Sequence, residues 1–306
     1  MPGLNWNTDR SDWPHTEFSR FQDAGGIRWH VQQMGHGPPI ILLHGTGASA
    51  HSWSALAPRL AEHFTVIAPD LPGHGFSEAL PRDRLSLPGM AEVLTCLLDS
   101  LTVRPRLAIG HSAGAAIVVR CCLDGALRSD AIVSINGALL PFRGTAGIFF
   151  PPMAKLLFAN PLAARLLAKR GGDQERILRL IRGTGSEIDP AGIARYARLF
   201  SSPRHVAATL GMMANWDLVT LSRELPQLQT PMLLIAGEND KAVRPAQAQR
   251  IKAMLPSAGI EQLPGLGHLA HEEDAAAVEA LILAFAAQHL AGRQAQAGEW
   301  NYGSAL

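Results

Sequence analysis

The sequence predicts an α/β fold, with a doubly wound, mostly parallel sheet, an antiparallel N-terminal hairpin and an inserted helical lid. Short apolar runs, such as residues 40–43 and 131–135, are typical of parallel strands buried on both faces. Segments with helical spacing of apolar residues alternate with these runs. A long helical stretch without strands then separates two of the runs, which predicts an insertion into the sheet.

The composition predicts a large folded core and excludes several functional classes. Of the 306 residues, 47% are hydrophobic and 17% are charged, so the chain can bury an extensive core. The formal net charge of +1 provides no global field to attract nucleic acid, and we expect no nucleic-acid partner. Three cysteines without a C-x-x-C pair favour a reducing compartment such as the cytoplasm. Residues 1–15 lack an apolar signal-peptide core, and no run of about 18 apolar residues follows, so we expect neither a secretory signal nor a transmembrane segment.

The individual elements can be predicted in order along the chain. The turn signal Ala24-Gly25-Gly26 lies between two strands, 18–23 and 27–34, and predicts the hairpin. Six further strands are expected at 40–43, 64–68, 107–109, 131–135, 232–236 and 259–263. Helices are expected at 52–63, 86–101, 247–255 and 275–289, with one more directly after Ser112. The carboxyl ends of the parallel strands then share one sheet edge, where a ligand crevice is expected.

Residues 138–225 predict a helical lid, inserted into a core formed by residues 1–137 and 226–306. Leucines, alanines and arginines recur in this segment, and prolines and glycines break it into short helices. The segment holds twelve Lys and Arg residues against six Asp and Glu residues, a net charge of +6, whereas the whole chain has only +1. The positive charge is therefore concentrated on the lid.

The candidate nucleophile is Ser112, in the G-x-S-x-G pattern of Gly110 to Gly114. The pattern follows an apolar strand and precedes a helix of small residues, which is typical of a strained turn, a nucleophile elbow, that exposes a serine hydroxyl. Glycines flank the serine because side chains there would collide across the turn. The following helix directs its N-terminal N–H groups towards the serine, where negative charge would develop.

Ser112, Asp240 and His268 each follow a predicted strand at the same sheet edge, and together they predict a catalytic triad. A serine hydroxyl is a weak nucleophile until a base such as His268 takes its proton. Asp240 would hold the imidazole in the correct tautomer and stabilise its charged form, and Glu238 is its nearest alternative. The backbone N–H groups of Thr46 and Ala113 are the candidate oxyanion-hole donors.

A second pattern suggests a different class of enzyme. Residues 45–50 match G-x-G-x-x-A after a strand, and Asp70 ends the next strand about 20 residues on, as in a dinucleotide-binding fingerprint. A nucleotide-dependent oxidoreductase is disfavoured because a hairpin precedes this strand and because the triad would be unexplained. His271 follows His268 by three residues, but no metal-binding spacing occurs, so we expect no metal ion and no other cofactor.

The chain resembles the α/β-hydrolase fold superfamily along nearly its whole length. The resemblance is carried by Asp240 and by four motifs: HG at 44–45, DLPGHG at 70–75, GHSAG at 110–114 and GH at 267–268. Further stretches resemble the magnesium-chelatase accessory proteins of bacteriochlorophyll biosynthesis in phototrophic bacteria. These stretches are HGTGAS at 44–49, GALLPF at 137–142, GMMANWDL at 211–218 and LPGLGHLAHEE at 263–273. The resemblance spans about residues 10–285 and implies a role near magnesium insertion into protoporphyrin in photosynthetic pigment synthesis, with magnesium chelatase as a partner. It does not by itself imply a reaction.

We therefore expect an esterase-like serine hydrolase that acts on a carboxylic ester through an acyl-enzyme. Serine at the nucleophile position argues against epoxide hydrolases and haloalkane dehalogenases, which share the fold but use aspartate there. The residues expected to bind substrate are His111, Phe149, Phe150, Met213 and Trp216. For His111 the alternative is that its ring supports the nucleophile elbow.

The lid is apolar and basic, which suits a flat apolar ligand with carboxylates, such as a porphyrin ester or acid. The alternative is that the apolar residues form the lid core and that the arginines form a solvated face. The alternative function is a non-catalytic accessory protein that binds porphyrin or magnesium chelatase on a hydrolase scaffold. The sequence leaves open the oligomeric state and whether the lid contacts a membrane.

Overall fold

The chain folds around one eight-stranded sheet in a computed structural model that describes residues 1–141, 153 and 155–290. The strands are β1 Ser19–Ala24, β2 Ile27–Met34, β3 Pro39–Leu43, β4 Thr65–Pro69, β5 Leu107–His111, β6 Ala131–Ile135, β7 Met232–Gly237 and β8 Gly259–Leu263. Their order across the sheet is β1-β2-β4-β3-β5-β6-β7-β8. Strand β2 pairs antiparallel with β1 and β4, and all other pairs are parallel. The predicted fold class is therefore confirmed, and each predicted strand agrees within two residues at either end.

Helices cover both faces of the sheet and enclose two apolar clusters. The α-helices are α1 Trp6–Asp9, α2 Leu56–Ala61, α3 Leu87–Ser100, α4 Ala113–Leu123, α5 Pro161–Gly171, α6 Gln174–Gly183, α7 Pro190–Phe200, α8 Pro203–Asn215, α9 Leu218–Glu224, α10 Ala246–Met254, α11 Ala270–Glu273 and α12 Ala275–Leu290. Helices α3, α4 and α10 pack on one face, and α2 and α12 pack on the other. Strand β3 shows why the strands are apolar throughout, since Ile41 and Leu43 enter one cluster while Ile40 and Leu42 enter the other.

One predicted helix differs from the structure. The stretch 52–63 divides into a 3-10 turn, Ala50–Trp53, and the short helix α2, Leu56–Ala61. Three further 3-10 turns are Thr16–Phe18, Arg82–Arg84 and Leu225–Gln227. The division follows from local hydrogen bonding, because the side chain of Ser49 accepts the N–H of His51 and starts a separate turn.

The helical insertion lies between β6 and β7, and it comprises α5 to α9 together with residues 155–159, which are also helical. Leu218 and Leu221 of α9 belong to the main core cluster, so the end of the insertion rejoins the core there. The boundaries 138 and 225 stay a prediction. Phe149 and Phe150 lie outside the described residues.

Helix α8 lies over the loops that follow β3 and β4. The amide of Gly75 donates to Nδ1 of His205 at 3.3 Å, and Nε2 of His205 donates to the carbonyl oxygen of Gly47 at 3.0 Å. Burial lowers the pKa of His205 to about 3, so the ring is neutral and each nitrogen keeps one fixed role. Gly73 also approaches Ala208 so closely that an added methyl group would overlap it. The lid is therefore fastened directly to the carboxyl edge of the sheet.

None of the helices within residues 1–141 and 153–290 is long and apolar enough to cross a lipid bilayer.

Candidate active site

Ser112 lies on a strained turn between β5 and α4. Its backbone has φ 49° and ψ −114°, in the left-handed region that a non-glycine residue seldom adopts. The turn is held by its backbone, since Ser112 N–H donates to Ile135 O at 3.0 Å and Ser112 O accepts from Ala138 N–H at 3.0 Å. A methyl group at Gly110 or Gly114 would overlap neighbouring backbone, which explains both glycines.

Asp240 and His268 form a buried pair at the ends of β7 and β8. Nδ1 of His268 lies 2.8 Å from Oδ2 of Asp240, so Nδ1 carries the proton and Nε2 is left as an acceptor. The other carboxylate oxygen of Asp240 accepts the N–H groups of Ala242 and Val243, each at 2.8 Å. These bonds hold the carboxylate against the imidazole. Glu238, the alternative, is exposed and only approaches the amide of Gly265.

The groups that could react are free of internal partners. Ser112 Oγ makes no hydrogen bond to any residue that the structure describes, and the N–H groups of Thr46 and Ala113 have no acceptor there either. Gly45 lies against the elbow, since a methyl group on it would be 3.1 Å from Cβ of Ser112. A free hydroxyl and two free amide donors are the components that acyl transfer requires.

Asn136, which the sequence analysis missed, connects the loops of the pair. Its Nδ2 donates to Gly267 O at 2.9 Å and to His268 O at 2.8 Å, while its Oδ1 accepts Gly237 N–H at 2.8 Å. Asn136 directly follows β6 and has φ 46°, a conformation that asparagine tolerates better than most residues. Its place after a parallel strand was the one available sequence signal.

His111 is buried directly beneath His268. Its Nε2 donates to His268 O at 2.8 Å, and its ring centroid lies 4.8 Å from that of His268 and 4.5 Å from that of His271. Burial, followed by the nearby charges of His271 and His268, lowers the pKa of His111 well below its usual value. The ring is therefore neutral, and its Nε2–H supports the His268 loop, while the assignment of His111 to substrate binding stays a prediction.

The other residues expected to bind substrate do not form a described pocket. Met213 and Trp216 are half-buried at the end of α8, and Trp216 packs against the main core cluster. Phe149 and Phe150 lie outside the described residues. Within the described part of the chain, no three His, Cys, Asp or Glu side chains are grouped as metal ligands.

The dinucleotide-binding alternative does not fit the surroundings of Asp70. Its carboxylate is buried and accepts from Ala50 N–H at 2.7 Å, Phe76 N–H at 2.9 Å and His30 Nδ1 at 2.8 Å. Burial opposes the ionisation of Asp70, but His30 and these bonds overcome it and hold the pKa of the carboxyl below its usual range. Both oxygens are therefore occupied, and neither is free to bind a ribose.

Comparison with known proteins identifies relatives along most of the chain. The family model of the alpha/beta hydrolase family matches residues 40–281. The magnesium-chelatase 30 kDa subunit of Rhodobacter capsulatus is 42% identical over 275 residues, which cover 89% of this chain and 96% of the relative.

Two solved structures have folds similar to that of this chain. The epoxide hydrolase CorEH without ligand has a TM-score of 0.75 at 25% identity, over 88% of this chain and 98% of its own. An alpha/beta hydrolase fold protein from Burkholderia ambifaria has a TM-score of 0.74 at 22% identity, over 87% and 97%, and this likeness shows the fold alone.

Proposed function

Because the chain belongs to the alpha/beta hydrolase family and is related within it to a magnesium-chelatase 30 kDa subunit, we propose that it is a serine hydrolase with the triad Ser112, His268 and Asp240. The observation that carries the proposal is the 2.8 Å pair between His268 Nδ1 and Asp240 Oδ2, at the same sheet edge as the strained turn of Ser112. Serine as the nucleophile supports an acyl-enzyme and a carboxylic ester substrate.

The reaction follows from these groups. Nε2 of His268 takes the proton of Ser112 Oγ as the oxygen attacks the ester carbonyl carbon. The carbonyl oxygen becomes an oxyanion, which accepts hydrogen bonds from the N–H groups of Thr46 and Ala113. The tetrahedral intermediate collapses, and His268 returns the proton to the departing alcohol. Water then attacks the acyl-enzyme in the same way and releases the acid and Ser112.

Asp240 acts through His268 and does not touch the substrate. Its Oδ2 accepts the Nδ1 proton of His268, which fixes the tautomer that leaves Nε2 free as a base. It also stabilises the imidazolium that forms in each half-reaction. Asn136 and His111 both donate to the carbonyl oxygen of His268, and we assign them as positioning residues for the base.

A fluorophosphonate probe tests the proposal without knowledge of the substrate, because it forms a covalent bond only with an activated serine. We expect one probe per chain on Ser112, detected by intact mass and peptide mapping, and no label on Ser112→Ala protein. Ser201→Ala is the matched control, since Ser201 is exposed on the lid and its hydroxyl donates to Arg198 O, and it should label normally. Failure of folded wild-type protein to react would contradict the proposed hydrolase.

A porphyrin ester or acid is the substrate class that we propose. The lid segment 138–225 carries the net charge of +6 that would attract carboxylates, and Met213 and Trp216 are half-buried apolar residues at the end of α8. Porphyrin binding should quench tryptophan fluorescence, and Phe149→Ala with Phe150→Ala should weaken it. Leu180→Ala, on an exposed lid position, is the control. Unchanged affinity in the phenylalanine variant would exclude this assignment of Phe149 and Phe150.

A non-catalytic accessory role is the second candidate, and the identity of 42% to a protein named as a magnesium-chelatase subunit favours it. The two functions separate in a bacteriochlorophyll-producing strain that lacks this protein. If hydrolysis is the function, Ser112→Ala protein should accumulate normally and fail to restore pigment. Full restoration by Ser112→Ala would instead support binding of porphyrin or chelatase on a hydrolase scaffold.

A further inference from the structure

Helix α5, Pro161–Gly171, packs with its small residues inward and its leucines outward. Ala163, Ala164 and Ala168 are buried, whereas Leu162, Leu166 and Leu167 are 55%, 60% and 44% exposed. A helix that only had to pack on its neighbours would bury the leucines, because their larger apolar surfaces gain more from leaving water. The stability of the folded chain therefore does not explain why these leucines face outward.

Helix α5 packs on α8 within the helical insertion. Ala164 and Ala168 pack on Val206 and Leu210 of α8, and α8 in turn lies on the loops at the carboxyl edge of the sheet. The residues just before α5 add to the exposed apolar surface, since Leu156 is 73% exposed. Nothing in the described part of the chain covers Leu162 or Leu166.

Basic residues flank Leu162 and Leu166 around the helix. By helical spacing, Arg165 and Lys169 lie on one side of Leu162 and Leu166, and Arg170 lies on the other. All three are exposed. We call these five residues the lid face. No Asp or Glu occurs between residues 137 and 172, so the face has no acidic neighbour in sequence.

The next lid helix shows the usual arrangement for comparison. Every arginine of α6 is close to a carboxylate: Arg176 to Asp173, Arg179 to Glu175 and Arg182 to Glu187. The three basic residues of the lid face make no such pair with any described residue. Their charge is therefore available to an external anion.

We propose that the lid face docks on a lipid membrane that carries anionic headgroups. The five side chains offer only apolar carbon and hydrogen-bond donors, and a phospholipid surface offers the complement, acyl chains beneath a layer of phosphate acceptors. The long stems of Arg165, Lys169 and Arg170 can lie beside the inserted leucines while their charged ends reach the phosphates. The lid face is convex, because it is one side of a single helix. None of its five side chains is a hydrogen-bond acceptor that could recognise a donor on a particular protein partner.

Vesicle sedimentation with the full-length protein tests the proposal. We expect the protein to sediment with vesicles of phosphatidylcholine and phosphatidylglycerol in equal amounts, and to remain in solution with phosphatidylcholine alone. Binding should weaken with added salt, which screens the charges. Leu162→Gln with Leu166→Gln, and separately Arg165→Gln with Lys169→Gln, should each weaken binding about tenfold or more. These side chains are exposed, so thermal melting should be unchanged.

Arg179→Gln with Leu180→Gln is the matched control, because Leu180 is 55% exposed on α6, like Leu162 on α5. This variant should bind anionic vesicles as the wild type does. Ser112→Ala protein should also bind, because docking does not involve the nucleophile, so the result is independent of the hydrolase test. The proposal is overturned if the wild type ignores anionic vesicles, if it binds neutral vesicles equally, or if both lid-face variants bind normally.

Discussion

Asn136 Nδ2 lies 2.8 Å from the carbonyl oxygen of His268 and donates a hydrogen bond to it. The same side chain accepts the amide of Gly237, the last residue of β7, three positions before Asp240. One asparagine directly after β6 therefore ties together the loops that hold His268 and Asp240. Because these loops follow two further strands, the geometry of the His268–Asp240 pair depends on a residue outside the pair.

Asn136→Gly should lower kcat for a generic ester such as p-nitrophenyl butyrate by about tenfold, with little change in KM, because a displaced base slows chemistry more than binding. Glycine tolerates the positive φ at this position, so the variant removes the side-chain bonds without new backbone strain. Asn239→Gly is the control, since exposed Asn239 bonds Gly265 O in the same loop and does not contact His268. A change in KM alone would contradict the positioning role of Asn136.

Asp240→Asn should reduce kcat by about 10³- to 10⁴-fold, because an amide facing His268 Nδ1 stabilises the wrong imidazole tautomer. Asp217→Asn is a closely matched control. Asp217 accepts the N–H groups of Val219 and Thr220 as Asp240 accepts those of Ala242 and Val243, but it is exposed. Equal activity in the two variants would argue against Asp240 as the triad carboxylate. Single-turnover kinetics would separate the chemical step from product release.

Gly45→Ala should lower kcat by about tenfold or more through displacement of the elbow and of the Thr46 amide. The added methyl group would lie 2.8 Å from Nδ1 of His111 and 3.1 Å from Cβ of Ser112, so one of them must move. Gly183→Ala provides the comparison, because a methyl group added there would meet no heavy atom within 4 Å outside its own helix and chain neighbours. If Gly45→Ala retained full activity, the oxyanion site would have to lie elsewhere.

Stability should fall as the pH is lowered below 6.5, partly through His205. Burial lowers the folded-state pKa of His205 to about 3, so between pH 6.5 and 3 the unfolded chain binds a proton that the folded chain does not. Its contribution is therefore present above pH 6.5 and is lost as the pH falls towards 3. One such proton changes the free energy of unfolding by at most about 1.4 kcal/mol per pH unit.

Chemical denaturation at a series of pH values measures this slope. His205→Asn should reduce the slope of the unfolding free energy against pH between pH 6.5 and 3, because asparagine does not titrate. The reduction should correspond to at most one proton bound on unfolding. His36→Asn, at an exposed position, serves as the comparison for the loss of one imidazole. An unaltered slope in His205→Asn would mean that other groups account for the acid sensitivity.

Much of the fold could be predicted because its causes are local. Strands such as β6, Ala131–Ile135, are apolar throughout since both faces are covered, and that composition is visible in the sequence. The glycines around Ser112 indicate the tight turn. Ser112, Asp240 and His268 each follow a predicted strand, which places all three at strand ends. That placement predicted the pair of Asp240 with His268, which lie 28 residues apart in sequence and 2.8 Å apart in space.

Burial of particular side chains was decided only by the tertiary structure. His111 follows an apolar strand in the sequence, but only the packing of helices and loops shows that its ring is buried against His268. Asn136 acquires its role only because β6, β7 and β8 lie side by side, which brings three distant loops within hydrogen-bond distance. Helix α5 has both an alanine side and a leucine side, so its periodicity predicts a helix without showing which side is covered.

The sequence by itself thus determined the elements, their order and the chemical groups at the sheet edge, because these depend on neighbouring residues and on strand direction. The tertiary structure decided which surfaces meet, including the inward alanines and outward leucines of α5. The physical reason is that burial is a property of two surfaces in contact, and a pattern along one segment describes only one of them.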